Sequence, residues 1–246
     1  MASPTFDACA HDYEVQLAQG LSLSGEGREY FSRARCDHLR TWWTRAGFPE
    51  PRALVDLGCG DGLGTLHLAE RFPAAEVLGV DPSQASLDLA RSRLARSRGP
   101  SDQDASARVR FEPDAKALRG RADLVHVNGV LHHVEPVQRP GFLSELRSLL
   151  DPSGTAAIFE NNPLNPGTRW VMSRIPFDRD ARPLSCRRLV AALEDAGLEV
   201  AHTRHLFYFP RLLSALRPLE GPLGRLPLGA QYAVLAKLAK HPSGRP

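Results

Sequence analysis

The heptapeptide Asp56-Leu57-Gly58-Cys59-Gly60-Asp61-Gly62 decides the fold. It follows a short apolar run, residues 53–57, and precedes Leu63, Leu66, Ala69 and Phe72 at helical spacing, so the stretch reads as strand, glycine loop, helix. Glycine lacks Cβ and tolerates positive φ, which lets such a loop bring backbone N–H groups close to a ligand at a helix N-terminus. A dinucleotide fingerprint, G-x-G-x-x-G, would need glycine where this chain has Leu63, and here the strand closes on the acidic Asp56. Both departures disfavour a nicotinamide cofactor.

Working outward, residues 76–80 read as a second strand ending at Asp81, residues 84–96 as a helix and 97–106 as a polar loop. Residues 109–111 and 123–127 supply further strands, 140–150 a helix, and 155–159 a fifth strand after the Ser153-Gly154 turn. A helix over 187–196 stops at Gly197, and residues 198–209 and 231–238 suit a terminal pair of strands. Strands alternating with helices at this spacing imply a parallel sheet with right-handed crossovers. Such sheets bind ligands beyond the carboxyl ends of their strands.

The bulk numbers bound the rest. A chain of 246 residues with 42% hydrophobic side chains can bury a full core as one domain. Its formal charge of +3, from 31 basic and 28 acidic residues, lacks the concentrated basic footprint of a nucleic-acid binder, so a small-molecule partner is expected. Cys9, Cys36, Cys59 and Cys186 are widely separated and form neither a redox pair nor a zinc cluster; free thiols and no metal are expected. No signal-peptide pattern opens the chain and no run approaches a membrane span, which predicts a cytoplasmic protein, monomeric or homodimeric.

Residues 54–160 resemble the class I S-adenosylmethionine-dependent methyltransferases, whose first motif, an acidic residue followed by G-x-G-x-G, matches Asp56, Gly58, Gly60 and Gly62. The resemblance implies a Rossmann-like seven-stranded, mostly parallel sheet with helices on both faces. It implies S-adenosylmethionine as cofactor, with Cys59 in the loop against its methionine part and Asp81, followed by Pro82, accepting hydrogen bonds from the ribose hydroxyls. Asp114, in the run Glu112-Pro113-Asp114-Ala115, would accept the adenine amino proton, and Asn128 would border the cofactor. Each position also has a structural use: Asp56 can orient the loop, Asp61 can cap the helix and Asp114 can sit in a solvated turn. The run Leu131-His132-His133 is similar to the small-molecule branch of the family, which serves natural-product biosynthesis.

The sulfonium already makes the methyl group electrophilic, so the protein has mainly to hold a nucleophile about 3 Å away and in line. A hydroxyl acceptor also needs a base, and histidine suits that task. His132 is the expected base, with Glu160 at the end of the fifth strand orienting the imidazole or the acceptor. Adjacent histidines at a strand end should point apart, leaving His133 the better packing candidate.

The insert 160–184 carries Asn161, Arg169 and Arg174, which with Tyr13 are the candidate acceptor contacts. Arg169, Arg174 and Arg179 also read as a solvated set with Asp178 and Asp180. Trp170, Met172, Phe177, Phe207, Tyr208 and Phe209 could line an apolar pocket or fill the core. Residues 1–50, with His11 and Tyr13, read as an N-terminal helical cap or lid, 51–240 as the cofactor domain and 241–246 as a frayed tail.

Two competing functions stay open. Nucleic-acid amino methyltransferases carry an N-P-P-Y-type motif after the fourth strand, where this chain has Asn128-Gly129-Val130-Leu131. Proteins of this fold can also bind the cofactor yet catalyse cyclisation or rearrangement, or act as non-catalytic partners.

Overall fold

The computed structural model describes residues 24–97, 107–175, 178 and 180–239. In chain order the elements are α1 (Arg28–Arg45), β1 (Ala53–Leu57), α2 (Leu63–Arg71), β2 (Glu76–Val80), α3 (Gln84–Ser97), β3 (Val109–Glu112) and β4 (Ala122–Asn128). They continue with α4 (Arg139–Leu149), β5 (Leu150–Asn161), α5 (Pro166–Arg174), α6 (Cys186–Asp195), β6 (Leu198–Leu206), α7 (Glu220–Leu223) and β7 (Gln231–Leu238).

The seven strands form one sheet in the order β3-β2-β1-β4-β5-β7-β6. All neighbours run parallel except β7, which is antiparallel to both β5 and β6. Chain order reverses between β1 and β4. The crevice where such sheets take ligands therefore lies outside Leu57 and Asn128.

Burial on both faces explains why the central strands read as apolar runs. Leu54 and Leu124 pack on one face with Cys36, Leu39 and Trp43 of α1 and Leu68 and Phe72 of α2. Val55, Val125 and Val127 pack on the other with Leu143, Leu146 and Leu149 of α4 and Leu189 and Leu193 of α6. The leucines of α4 recur every three residues and so form one stripe. Burying each stabilises the fold by about 2 kcal/mol, which outweighs the weak helix propensity of the Pro140-Gly141 start.

Three differences from the sequence reading have physical causes. β5 begins at Leu150, five residues before the expected strand, because Leu150 joins the ladder opposite Ala122 ahead of a register shift at Ala122/Leu124. α1, within the 1–50 cap read from sequence, shares a core cluster with β1 and α2, so its apolar face is part of the domain interior. The insert after β5 is partly a helix, α5, started by Asn165, whose side chain accepts from Thr168 N at 2.9 Å. His11, Tyr13, Phe177, Arg179 and the 241–246 tail lie outside the described residues. Among the described residues, no helix is long and apolar enough to cross a membrane.

Candidate active site

β1 delivers Asp56 into the interior, where Thr65 donates to Oδ2 at 2.6 Å and His126 Nδ1 lies 2.7 Å from Oδ1. The carboxylate thus anchors the glycine loop to α2 and β4 from behind. Gly58, Gly60 and Gly62 all have positive φ, at 82°, 54° and 76°. A Cβ on Gly62 would lie 2.8 Å from both Ala90 Cβ and Phe111 Cζ, whereas one on Gly60 would meet nothing within 4 Å. Gly62 therefore serves close packing, and Gly60 presents backbone to open space.

The end of β2 holds the loop in place. Gly58 and Cys59 donate to Val80 O at 2.7 and 3.0 Å, and Asp81 accepts from Gly60 N and Ser83 N, each at 2.9 Å. Asp81 is thereby set beside the open side of the loop, and Pro82 next to it is exposed. Burial pushes the Cys59 thiol up, so the loop cysteine stays neutral. Asp61 forms a buried ion pair with Arg28 and Arg93, each at 2.6 Å; burial would raise its carboxyl, but the two guanidinium groups hold it below the usual range. Asp114 is exposed and turned to Lys116, at 2.9 Å from Nζ and 3.0 Å from N, while Ala115 is buried in the second core cluster.

A cleft of about 410 Å³ opens at the carboxyl ends of β4 and β5. Asn128, Gly129, His132 and His133 line one side, and Phe31 of α1, Met172 of α5, Phe207 and Tyr208 after β6, and Gln231 of β7 close the other. Asn161 belongs to the rim and accepts from Gln231 Nε2 at 3.0 Å. Phe207 is the one described non-glycine residue with positive φ, at 62°, and packs edge-on to Phe31 with ring centroids 5.0 Å apart. That strain holds an aromatic wall against the cleft.

The floor of the cleft is a titratable cluster. Glu160, fully buried, accepts from Val130 N and Leu131 N through Oε1 at 3.0 and 2.7 Å, and its Oε2 lies 2.7 Å from His132 Nδ1. Asp178 Oδ1 approaches His132 Nε2 at 3.7 Å and His133 Nε2 at 3.4 Å, with no hydrogen-bond partner of its own. Burial opposes a charge on His132, but Glu160 and then Asp178 outweigh it and push its pKa up to about 9. Burial, and then the charge on His132, lower His133 to about 4. These two shifts favour the proton on His132 and leave His133 the neutral ring.

The expectation that the two histidines point apart fails. They lie in a tight turn, with His133 N donating to Val130 O at 3.0 Å, and their rings sit 4.1 Å apart. The strand alternation that would separate neighbours ended at Asn128.

Arg169 and Arg174 do not reach this cleft. They line an adjoining cavity of about 450 Å³ that shares Met172, Ile175 and Asp178 with the cleft, and Arg174 stacks on Trp170, 4.5 Å from its centroid. α5 rotates Thr168 and Met172 inward and the two arginines outward. Asp178, read from sequence as part of a solvated set with Arg169, Arg174, Arg179 and Asp180, is buried instead and lies against His132 and His133.

Comparison with known proteins agrees with this arrangement. Residues 55–156 match the family model described as a methyltransferase domain. Over that segment the chain is similar to the class I S-adenosylmethionine-dependent methyltransferases. A trans-aconitate 2-methyltransferase of Variovorax paradoxus is 31% identical over 199 residues, covering 80% of this chain and 65% of the relative. A trans-aconitate 2-methyltransferase of Escherichia coli is 33% identical over 162 residues, 63% of this chain and 60% of the relative. The chain thus spans less than two thirds of the length of these curated relatives. Among solved structures, an S-adenosylmethionine-dependent methyltransferase from Archaeoglobus fulgidus aligns with a TM-score of 0.57 at 18% identity, covering 82% of this chain and 94% of that one. A glycopeptide N-methyltransferase complexed with sinefungin aligns with a TM-score of 0.58 at 17% identity, covering 83% and 87%. At such identities these structures speak for the fold alone.

Proposed function

We propose that this protein transfers the methyl group of S-adenosylmethionine to a hydroxyl oxygen of a small acceptor seated in the cleft above His132, His133 and Asp178. The observation that carries the reading is a juxtaposition. The open side of the glycine loop and Asp81 lie at the end of β1 and β2, and the polar floor of the cleft lies at the end of the adjoining β4 and β5. A cofactor on the first would present its methyl group toward an acceptor on the second.

Asp81 would take the ribose hydroxyls, the backbone at Gly60 the methionine part, and Asn128 and Gly129 the border between cofactor and acceptor. The cofactor supplies an activated methyl on sulfur. The chain holds the acceptor oxygen, excludes water through Phe31, Phe207 and Tyr208, and takes the hydroxyl proton into the His132–Asp178–His133 cluster. A carboxylate acceptor, which the names of the trans-aconitate relatives suggest, would need no proton acceptor. The buried cluster facing the cleft favours the hydroxyl.

The test is an acceptor screen that reads S-adenosylhomocysteine release, with trans-aconitate and hydroxylated metabolites side by side. Release with a hydroxyl compound supports the proposal, and release with trans-aconitate alone replaces the hydroxyl by a carboxylate. Turnover of S-adenosylmethionine without S-adenosylhomocysteine would mean cyclisation or rearrangement instead.

A further inference from the structure

We infer that His132, His133 and Asp178 form a binding site for one divalent transition-metal ion at the floor of the cleft. The inference rests on the reading of that cleft as the acceptor site, and it adds the group that would activate the acceptor oxygen.

Geometry comes first. Asp178 Oδ1 is 3.4 Å from His133 Nε2 and 3.7 Å from His132 Nε2, and the donor atoms of the three residues all lie within 4.8 Å of one another. Two ligands bound at about 2.1 Å to a tetrahedral ion lie about 3.4 Å apart, so the carboxylate already stands near ligand spacing from both rings. Closing the widest donor separation to that spacing takes about 1.4 Å, shared between two side chains.

Three further features point to a cation. Asp178 is buried and its Oδ1 makes no hydrogen bond, while the Nε2 atoms of both rings approach it only to 3.4 and 3.7 Å, so an ion seated among the three would satisfy an oxygen that the rings leave unbonded. Glu160 Oε2 sits on the opposite ring nitrogen of His132 at 2.7 Å, the carboxylate–histidine–metal order that fixes a ligating ring and turns its other nitrogen to the ion. Glu160 is itself immobilised by the N–H groups of Val130 and Leu131. Donor chemistry then selects the ion. Two imidazoles and one carboxylate suit Zn²⁺, Co²⁺ or Fe²⁺ better than Mg²⁺ or Ca²⁺, which prefer all-oxygen shells.

Three protein ligands leave at least one position open, as in catalytic rather than structural zinc sites, and here the open side is the cleft. The ion would take the place of the proton on His132, and with the three side chains occupied as ligands an acceptor hydroxyl at the open position would lose its proton to solvent rather than to the cluster. Its oxygen would then form the O–CH₃ bond as the S–CH₃ bond breaks and the electron pair returns to sulfur. The products are a methyl ether, S-adenosylhomocysteine and one proton, with no change of oxidation state.

The experiment uses the full chain stripped by a chelator, then titrated with Co²⁺ followed by visible absorption and with Zn²⁺ followed by calorimetry. One ion per chain is expected, with ligand-field bands that Zn²⁺ displaces. Asp178→Asn and His133→Ala should each weaken binding by at least about tenfold, and Glu160→Gln by about tenfold or more, while His205→Ala leaves it unchanged. In the wild-type protein alone, Co²⁺ should move the ring-proton NMR signals of two histidines, a reading that stands even if a variant fails to fold. Absence of Co²⁺ bands, or bands indifferent to Asp178→Asn and His133→Ala, overturns the metal site. If S-adenosylhomocysteine still binds calorimetrically in that case, the methyltransferase reading survives it; if that compound does not bind, both fall.

Discussion

Glu160 Oε2 lies 2.7 Å from His132 Nδ1, while the other carboxylate oxygen accepts two backbone N–H groups from the turn that carries the histidine. One side chain at the end of β5 thus fixes both the turn after β4 and the ring that the turn presents. Glu160→Gln replaces the acceptor facing Nδ1 by a donor and removes the charge. The methyl-transfer rate should fall by about a hundredfold while affinity for S-adenosylhomocysteine changes little. Single-turnover kinetics beside calorimetry make the check; an unchanged rate constant would show that Glu160 only braces the turn.

The two acidic positions beside the loop should separate clearly. Asp81 is tied to Gly60 N at the open side of the loop, whereas Asp114 is exposed and paired with Lys116. Asp81→Asn should raise the dissociation constant for S-adenosylhomocysteine by about tenfold or more, the scale of a lost charge-assisted hydrogen bond, and Asp114→Asn by less than about threefold. Equal effects in calorimetry would move the adenosine to a different site.

Glycine substitutions distinguish packing from chain flexibility. Gly62→Ala forces a Cβ to 2.8 Å from Ala90 and Phe111 at a φ of 76°, and should destabilise the protein by about 1–3 kcal/mol. Gly141→Ala, on a helix with nothing within 4 Å, should stabilise it by about 0.5–1 kcal/mol. Urea unfolding measures both, and a neutral Gly62→Ala would contradict the close approach of α2 to α3 and β3.

A fourth test concerns pH. His38 of α1 stacks on His202 of β6, ring centroids 6.1 Å apart, with Trp42 over His202 at 5.9 Å and the charges of Arg204 and Arg45 nearby. Burial, then Arg204, His202 and Arg45, lower the His38 pKa from 6.5 to about 4, and burial lowers His202 as well. Between those values the unfolded chain binds more protons than the folded one. The stability these rings preserve is therefore complete above the unfolded value and is lost as pH falls from 6.5 toward 4. Comparing unfolding free energies at about pH 7 and about pH 5, His38→Phe should show a smaller loss than the wild type. Identical losses would mean that other groups govern acid stability.

The fold was legible because its signals are local. Apolar runs at 53–57 and 123–127, glycines in the loop and helical spacing after it each depend on a few neighbouring residues, and the seven-stranded, mostly parallel sheet that was expected is the one found. The cleft floor was legible only in part. His132, His133 and Glu160 stand at strand ends, which the alternation of elements marks, but their charge states arise from burial and from a carboxylate that approaches from elsewhere.

The sequence by itself determined the sheet, the loop and the residue types at its rim, since strand, turn and helix preferences act over a few bonds. Tertiary structure alone decided that Asp178 lies under two imidazoles 45 and 46 positions earlier in the chain, that α5 turns Arg169 and Arg174 away, and that Asp56 anchors the loop through His126. Those relations are set by how α5, β4 and β5 pack around a common interior, where side-chain direction and desolvation depend on groups far apart in the chain.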